Sequence, residues 1–228
     1  MYDVIFVSNG ELNAESNWER LQQVSTIAPK RIDGVNSIHA AYQKAAELAT
    51  TEHFFLVDAD NEVNVDFDFQ SFVYPDKFRA IPHVVTWRTR NNVNSLIYGH
   101  GGITLYPTEF LRDTSRVGAD VAQGLGIPVR SLCYVGSVHA FDFNAYNTWR
   151  TAFREAVKLR KSADRNTCPN AGWRLQVWES ESNGEFGRYS VLGAKMGSTF
   201  IRDFPERMNL INNEAGLKQL YVESTAGV

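Results

Sequence analysis

Two aspartates separated by a single residue, in Val57-Asp58-Ala59-Asp60-Asn61, are the residues of this 228-residue chain whose spacing points most directly to chemistry. A strand period of two carries both side chains to one side, provided the extended backbone persists through the turn. Carboxylates held that close repel unless a cation lies between them. A divalent ion with hard oxygen ligands, Mg²⁺ or Mn²⁺, answers that repulsion and can in turn grip a diphosphate. The same residues also suit an Asp-rich turn that ends a strand, with Asn61 making local side-chain to backbone bonds.

Other polar groups could serve anions or bases. Trp87-Arg-Thr-Arg-Asn91 alternates an aromatic ring with the guanidinium groups of Arg88 and Arg90, which suits a diphosphate, a DNA phosphate or a stacked base, and equally a strand end with solvated arginines. Gly101-Gly102 lets backbone approach a sugar or phosphate, although a plain hairpin turn needs the same glycines. The net charge of −3 hides an asymmetry: residues 1–148 carry 11 Lys and Arg against 17 Asp and Glu, and residues 149–228 carry 12 against 9. Within 149–174 lie Arg150, Arg154, Lys158, Arg160, Lys161, Arg165 and Arg174 against Glu155 and Asp164, an anion-binding segment or a solvated helix face.

The elements that must position these residues follow from apolar patterning. Residues 2–8 and His53–Asp58 carry the continuous runs Val-Ile-Phe-Val and Phe-Phe-Leu-Val of strands buried on both faces. Ala14–Val24 and 37–49 show helical spacing, and a short strand is expected at 30–32 between them. This βαβαβ start implies right-handed crossovers and a mostly parallel sheet, with ligands at the carboxyl ends of the strands. Ser8, Asn9, Asp33, Asp58 and Asp60 all fall there. Strands are expected at 84–88 and 103–106 around a flexible loop over 89–102, then helices at 147–159, 171–178, 188–200 and 210–222. The expected architecture is one α/β domain with a helical C-terminal extension.

The segments Asp3–Ser8, Arg31-Ile-Asp-Gly-Val and Phe54-Phe-Leu-Val-Asp-Ala-Asp60 resemble the GT-A glycosyltransferases, in which a metal bound by the DxD motif holds a nucleotide-sugar diphosphate at the edge of a Rossmann-like sheet. Over nearly the whole chain, Trp18-Glu-Arg-Leu, Asp33-Gly-Val-Asn-Ser-Ile-His-Ala-Ala, Trp87-Arg-Thr-Arg-Asn91, Tyr98-Gly-His-Gly-Gly102 and Asn147-Thr-Trp-Arg-Thr-Ala-Phe-Arg-Glu155 look like a family of small glycosyltransferases encoded by tailed bacteriophages. Some phages of the T4 type use such enzymes to decorate 5-hydroxymethylcytosine in their DNA with glucose or arabinose from UDP-sugars. The resemblance implies that Asp60 contacts the metal, that Asp58 binds ribose or metal, and that Ser8, Asn9 and Asp33 hold the nucleoside. It offers His139 as a further metal ligand, residues 1–148 as the nucleotide-sugar core, and 149–228 as the acceptor side. Asp33 also suits a turn cap with Gly34.

The expected activity is therefore sugar transfer from a UDP-sugar, with Mn²⁺ or Mg²⁺, to a hydroxyl acceptor such as hydroxymethylcytosine in double-stranded DNA. Asp142 and Glu155 are the candidate carboxylate bases if the reaction inverts. The alternatives are a glycan, lipid or protein acceptor, or a non-catalytic interaction protein on the same fold. A sugar nucleotidyltransferase fits less well, because the loop after the first strand, Ser8-Asn-Gly-Glu-Leu-Asn-Ala14, has no basic residue. With 43% hydrophobic and 21% charged residues, the composition excludes fibrous and disordered chains. No window approaches the ~18 to 20 apolar residues of a membrane span, and the start lacks a basic signal-peptide region, so a cytoplasmic protein is expected. Cys133 and Cys168, without a CxxC pair, read as buried or incidental thiols.

Overall fold

The structure is a computed structural model that describes residues 1–35, 37–113 and 121–225. Asn36, within one of the quoted segments, and the side chain of His100 lie outside the described residues. The elements in chain order are β1 (Asp3–Ser8), α1 (Ala14–Val24), β2 (Lys30–Asp33), α2 (Ile38–Leu48), β3 (His53–Asp58), β4 (Asn61–Val63), α3 (Lys77–Ala80), β5 (Val84–Asn91), β6 (Ile97–Pro107), α4 (Thr108–Leu111), α5 (Val121–Gly124) and β7 (Val129–His139). Then come α6 (Ala145–Asp164), α7 (Ala171–Ser180), α8 (Gly187–Asp203), a 3-10 helix (Pro205–Asn212) and α9 (Glu214–Thr225). Two compact units form: Met1–Arg90 with Ile97–His139, and Asn91–Leu96 with Ala140–Val228.

The first unit is built on a sheet of order β2-β1-β3-β6-β5-β7-β4. Its strands β2, β1 and β3 run parallel, whereas β3 with β6, β5 with β6, and β4 with β7 run antiparallel. The sheet is thus mixed, which corrects the mostly parallel expectation. Crossover helices stop at β3, and the short 92–96 connection that follows β5 can only join antiparallel neighbours. The expected 89–102 loop is largely strand: β5 continues to Asn91 because Trp87, Thr89 and Asn91 are buried while Arg88 and Arg90 are exposed, the period-two pattern of a half-buried strand.

Successive residues of β1 and β3 feed two separate cores. Val4, Phe6, Phe55 and Val57 pack with Leu21 of α1, Phe67, Phe69 and Trp87, whereas Ile5, Phe54 and Leu56 pack with Ala41, Tyr42 and Ala45 of α2. Phe55 is the hub of the first core, with ring centroids 5.1 Å from Phe69 and 5.2 Å from Trp87. Each fully buried large side chain of this kind contributes about 1.5–3 kcal/mol.

The second unit is helical. Gly193 and Gly197 of α8 let it lie directly on α6, since a methyl group there would fall 2.3 Å from the carbonyl oxygens of Trp149 and Phe153. The expected 210–222 helix is divided, because Asn213 is extended between the 3-10 helix and α9. Among the described residues no helix is long and apolar enough to cross a membrane. Cys133 is exposed and Cys168 half-buried, so neither is a core thiol.

At the amino end of the parallel strands, Asp3 accepts from the Thr50 backbone N–H at 2.6 Å and its hydroxyl at 2.9 Å, and pairs with Lys30 at 2.7 Å. Burial alone would raise its carboxyl, but the Lys30 bond, the Thr50 donors and the Lys30 charge outweigh it and hold the pKa at about 2 against an ordinary 3.8. A depressed folded-state pKa contributes stability above 3.8 that is lost as pH falls towards about 2. Asp3→Asn is expected to lower stability at neutral pH by about 1 kcal/mol, after allowance for solvent screening. Denaturant unfolding at pH 7 and across the acid range checks this: the deficit vanishes at the acid end, and a deficit unchanged with pH contradicts it.

Candidate functional site

The carboxyl ends of β2, β1 and β3 finish level, because the register pairs Ser8 with Asp33 and Val7 with Asp58. Three of the residues expected to converge do so here. Ser8 is buried, and its hydroxyl donates to Asp33 Oδ1 at 2.7 Å. Asp33 itself is exposed, and the next residue, Gly34, turns the chain with φ +68° while its N–H donates to Ser8 O at 3.1 Å. Asn9 is exposed, and its backbone N–H donates to Glu11 Oε2 at 2.6 Å.

Between the two aspartates, Ala59 is fixed from both sides: its N–H donates to Val7 O at 3.0 Å and its carbonyl accepts from Asn17 Nδ2 of α1 at 2.7 Å. Asp58 turns to α2, where the Tyr42 hydroxyl donates to Oδ1 at 3.1 Å. Burial first, and then the charge of Asp58, hold the Tyr42 phenol protonated well above its ordinary range. Asp60 turns instead to β7. His139 Nε2 lies 2.9 Å from Asp60 Oδ2, placed there by the β4–β7 ladder that pairs Asn61 with His139.

Beneath Asp60 runs a chain of buried polar groups. Asn61 Nδ2 donates to Asp60 Oδ1 at 2.7 Å, Ser137 Oγ donates to Asn61 Oδ1 at 3.1 Å, and the Thr89 and Ser137 hydroxyls are 2.7 Å apart. Asn61, Ser137 and Thr89 are each at most 1% exposed, so these bonds replace lost hydration rather than supplement it. Gly102 serves this chain: a methyl group there would fall 2.0 Å from Asn61 Oδ1. The glycine expected to approach a sugar thus makes room for a side chain. Gly101, at φ +97°, is a backbone requirement.

Among the described residues no group of three His, Cys, Asp and Glu side chains is arranged to hold a metal ion; of the expected trio Asp58, Asp60 and His139, the structure brings Asp60 and His139 together. Asp58 is drawn to the Tyr42 hydroxyl on one side, and Asp60 to the imidazole on the other. One carboxylate oxygen facing one imidazole nitrogen, on an aspartate side chain that is 33% exposed, still fits an ion whose remaining positions are filled by water and phosphate. Arg88 and Arg90 lie on the face of β5 opposite Thr89, so Thr89 rather than either arginine joins the Asp60 chain. Tyr42, Asn61, Ser137 and Thr89 were not singled out from the sequence as site residues. Only the position of Asn61 directly after Asp60 could have signalled one of them.

Asp142 and Glu155 belong to the second unit. There Asp142 accepts from Asn92 Nδ2, and Glu155 is half-buried in α6. The basic run of α6 is spent largely on its own unit. Arg150 pairs with Glu214 at 3.0 Å, Arg160 with Asp164 at 3.0 Å, Arg154 donates to Asn212 Oδ1 at 3.4 Å, and Lys161 Nζ lies 2.7 Å from Met208 Sδ. Burial would raise the Glu214 carboxyl, but Arg150 and Tyr146 hold it below its ordinary range. Lys158 is half-buried and Arg165 exposed, so this surface is a solvated helix face on which several of the basic groups have partners in their own unit.

No family model and no curated protein matches the chain. Among solved structures, the bifunctional IspDF from Campylobacter jejuni aligns with a TM-score of 0.38 and 12% identity, over 57% of this chain and 49% of that one. This chain thus spans about half the length of that structure, and a likeness at this level bears on neither activity nor substrate.

Gly102→Ala is expected to destabilise the first unit by about 1–3 kcal/mol, because the added methyl must displace a carboxamide bonded at both ends. The thermal unfolding midpoint checks it, and an unchanged midpoint contradicts it.

Proposed function

We propose that the protein is a GT-A-type, metal-dependent glycosyltransferase that moves a sugar from a UDP-sugar to a hydroxyl acceptor. The observation that carries this reading is the level arrangement of Ser8, Asp33 and Asp58 at three parallel strand ends, with the Asp60–His139 pair one turn further on. In sheets of this kind ligands collect at the carboxyl ends of parallel strands. The GT-A resemblance assigns a nucleoside, a ribose and a diphosphate-bound cation to these same positions.

Each residue has a stated part. Asp33, steadied by Ser8, accepts donor bonds from the nucleoside, and Asp58, held by Tyr42, accepts from a ribose hydroxyl. Asp60 and His139 hold the cation. A bound cation neutralises the charge that develops on the leaving UDP. In the transfer, the bond from sugar C1 to the phosphate oxygen breaks with its electron pair going to UDP, the acceptor oxygen bonds to C1, and the acceptor proton passes to a carboxylate. The imidazole in the ligand pair favours Mn²⁺ over Mg²⁺, which prefers an all-oxygen shell.

The acceptor reading of hydroxymethylcytosine in DNA is supported by the phage-family resemblance alone, because the arginines Arg150 and Arg160 are paired within their own unit. A second reading, a non-catalytic protein on this fold, draws support from the protein partner that each aspartate already has. A transfer assay with UDP-sugars, manganese and hydroxymethylated DNA or glycan acceptors separates the two. Asp60→Ala is expected to lower manganese-dependent transfer by at least about 100-fold at saturating donor. Full activity in that variant contradicts the proposal, and donor binding without transfer in the native protein favours the non-catalytic reading.

A further inference from the structure

Asp60 presents its two oxygens unequally. Oδ1 accepts the Asn61 carboxamide at 2.7 Å, whereas Oδ2 faces His139 Nε2 at 2.9 Å. The carboxamide is held in this orientation, because its oxygen accepts the Ser137 hydroxyl at 3.1 Å and Ser137 is joined to Thr89 at 2.7 Å. Turning the amide over would set its oxygen against the Asp60 carboxylate. The close approach of Gly102 leaves the group little room to move elsewhere.

We propose that Asn61, oriented by Ser137 and Thr89, makes Asp60 a one-oxygen ligand, so that the turn accepts Mn²⁺ in preference to Ca²⁺. This rests on the reading that Asp60 and His139 hold a cation. Calcium takes six to eight oxygens and gains from carboxylates that offer both of theirs, whereas an imidazole nitrogen beside a single carboxylate oxygen suits a transition ion. With Oδ1 engaged by an internal N–H, Asp60 gives Ca²⁺ one oxygen where a loosened side chain would give two. Asn61 and Ser137 are therefore positioning residues whose effect is on selectivity. Groups that orient a metal ligand in this way commonly alter affinity by about 10- to 100-fold.

The test is a titration with Mn²⁺ alone, read as loss of the free-ion EPR signal, followed by competition with Ca²⁺, in the native protein, Asn61→Leu and Ser137→Ala. In Asn61→Leu the ratio of the calcium to the manganese dissociation constant is expected to fall by about tenfold. Ser137→Ala shifts it the same way by a smaller factor, and it carries the comparison if Asn61→Leu does not fold. Weakening of both ions together, with the ratio unmoved, is what a merely structural role produces and overturns the inference, as does a native protein that binds no manganese. A shifted ratio in a protein that transfers no sugar upholds the selectivity and removes the glycosyltransferase reading. Sugar transfer with an unmoved ratio does the reverse.

Discussion

Two carboxylates one residue apart must be kept from repelling each other, and this chain does so by giving each its own donor. The Tyr42 phenol, buried and protonated, donates to Asp58, while Asn61 donates to Asp60 and His139 lies beside it. That division requires the backbone between them to stay put, which the two hydrogen bonds on Ala59 accomplish. It also requires β7 to bring His139 alongside β4, and Gly102 to leave space for the Asn61 amide. Elements distant in sequence are thus tied to one four-residue turn. Their cooperation gives each of the uncharged polar groups buried there a hydrogen-bond partner.

Much of the first unit was legible from apolar runs. Val4 to Val7 and Phe54 to Val57 are continuous because both faces of β1 and β3 are covered, and they gave the parallel start and the level strand ends directly. What followed β3 was less legible. β7 is exposed over much of its first half and buried only at Gly136, Ser137 and His139, so no apolar alternation marks it, and the three residues of β4 are too few to carry a period. Missing those two strands meant expecting a mostly parallel sheet and overlooking the partners that β7 supplies. His139 entered through the resemblance alone. Ser137 and Thr89 are ordinary strand residues whose importance exists only once the sheet is closed.

The second unit shows a different limit. Its helices follow from periodicity, and α6 extends beyond the expected 147–159, with Asn144 capping its first turn and Arg160 paired with Asp164 at its end. A run of basic residues in a sequence carries no record of where its counter-charges lie. Here Glu214 sits 64 positions from Arg150, and the pairing forms only because α6 and α9 pack together. The charge asymmetry between the two parts of the chain is real, yet much of its positive side is neutralised within the unit that bears it.

The account turns on whether the Asp60 turn receives a divalent ion. Substoichiometric Mn²⁺ added to isotopically labelled protein, followed by NMR, reads this directly through paramagnetic broadening. The His139 imidazole and Asn61 carboxamide signals are predicted to broaden before all others, with Ser8 and Tyr42 following. Signals of His139 and Asn61 that stay sharp while manganese broadens another part of the protein, or none, would contradict it.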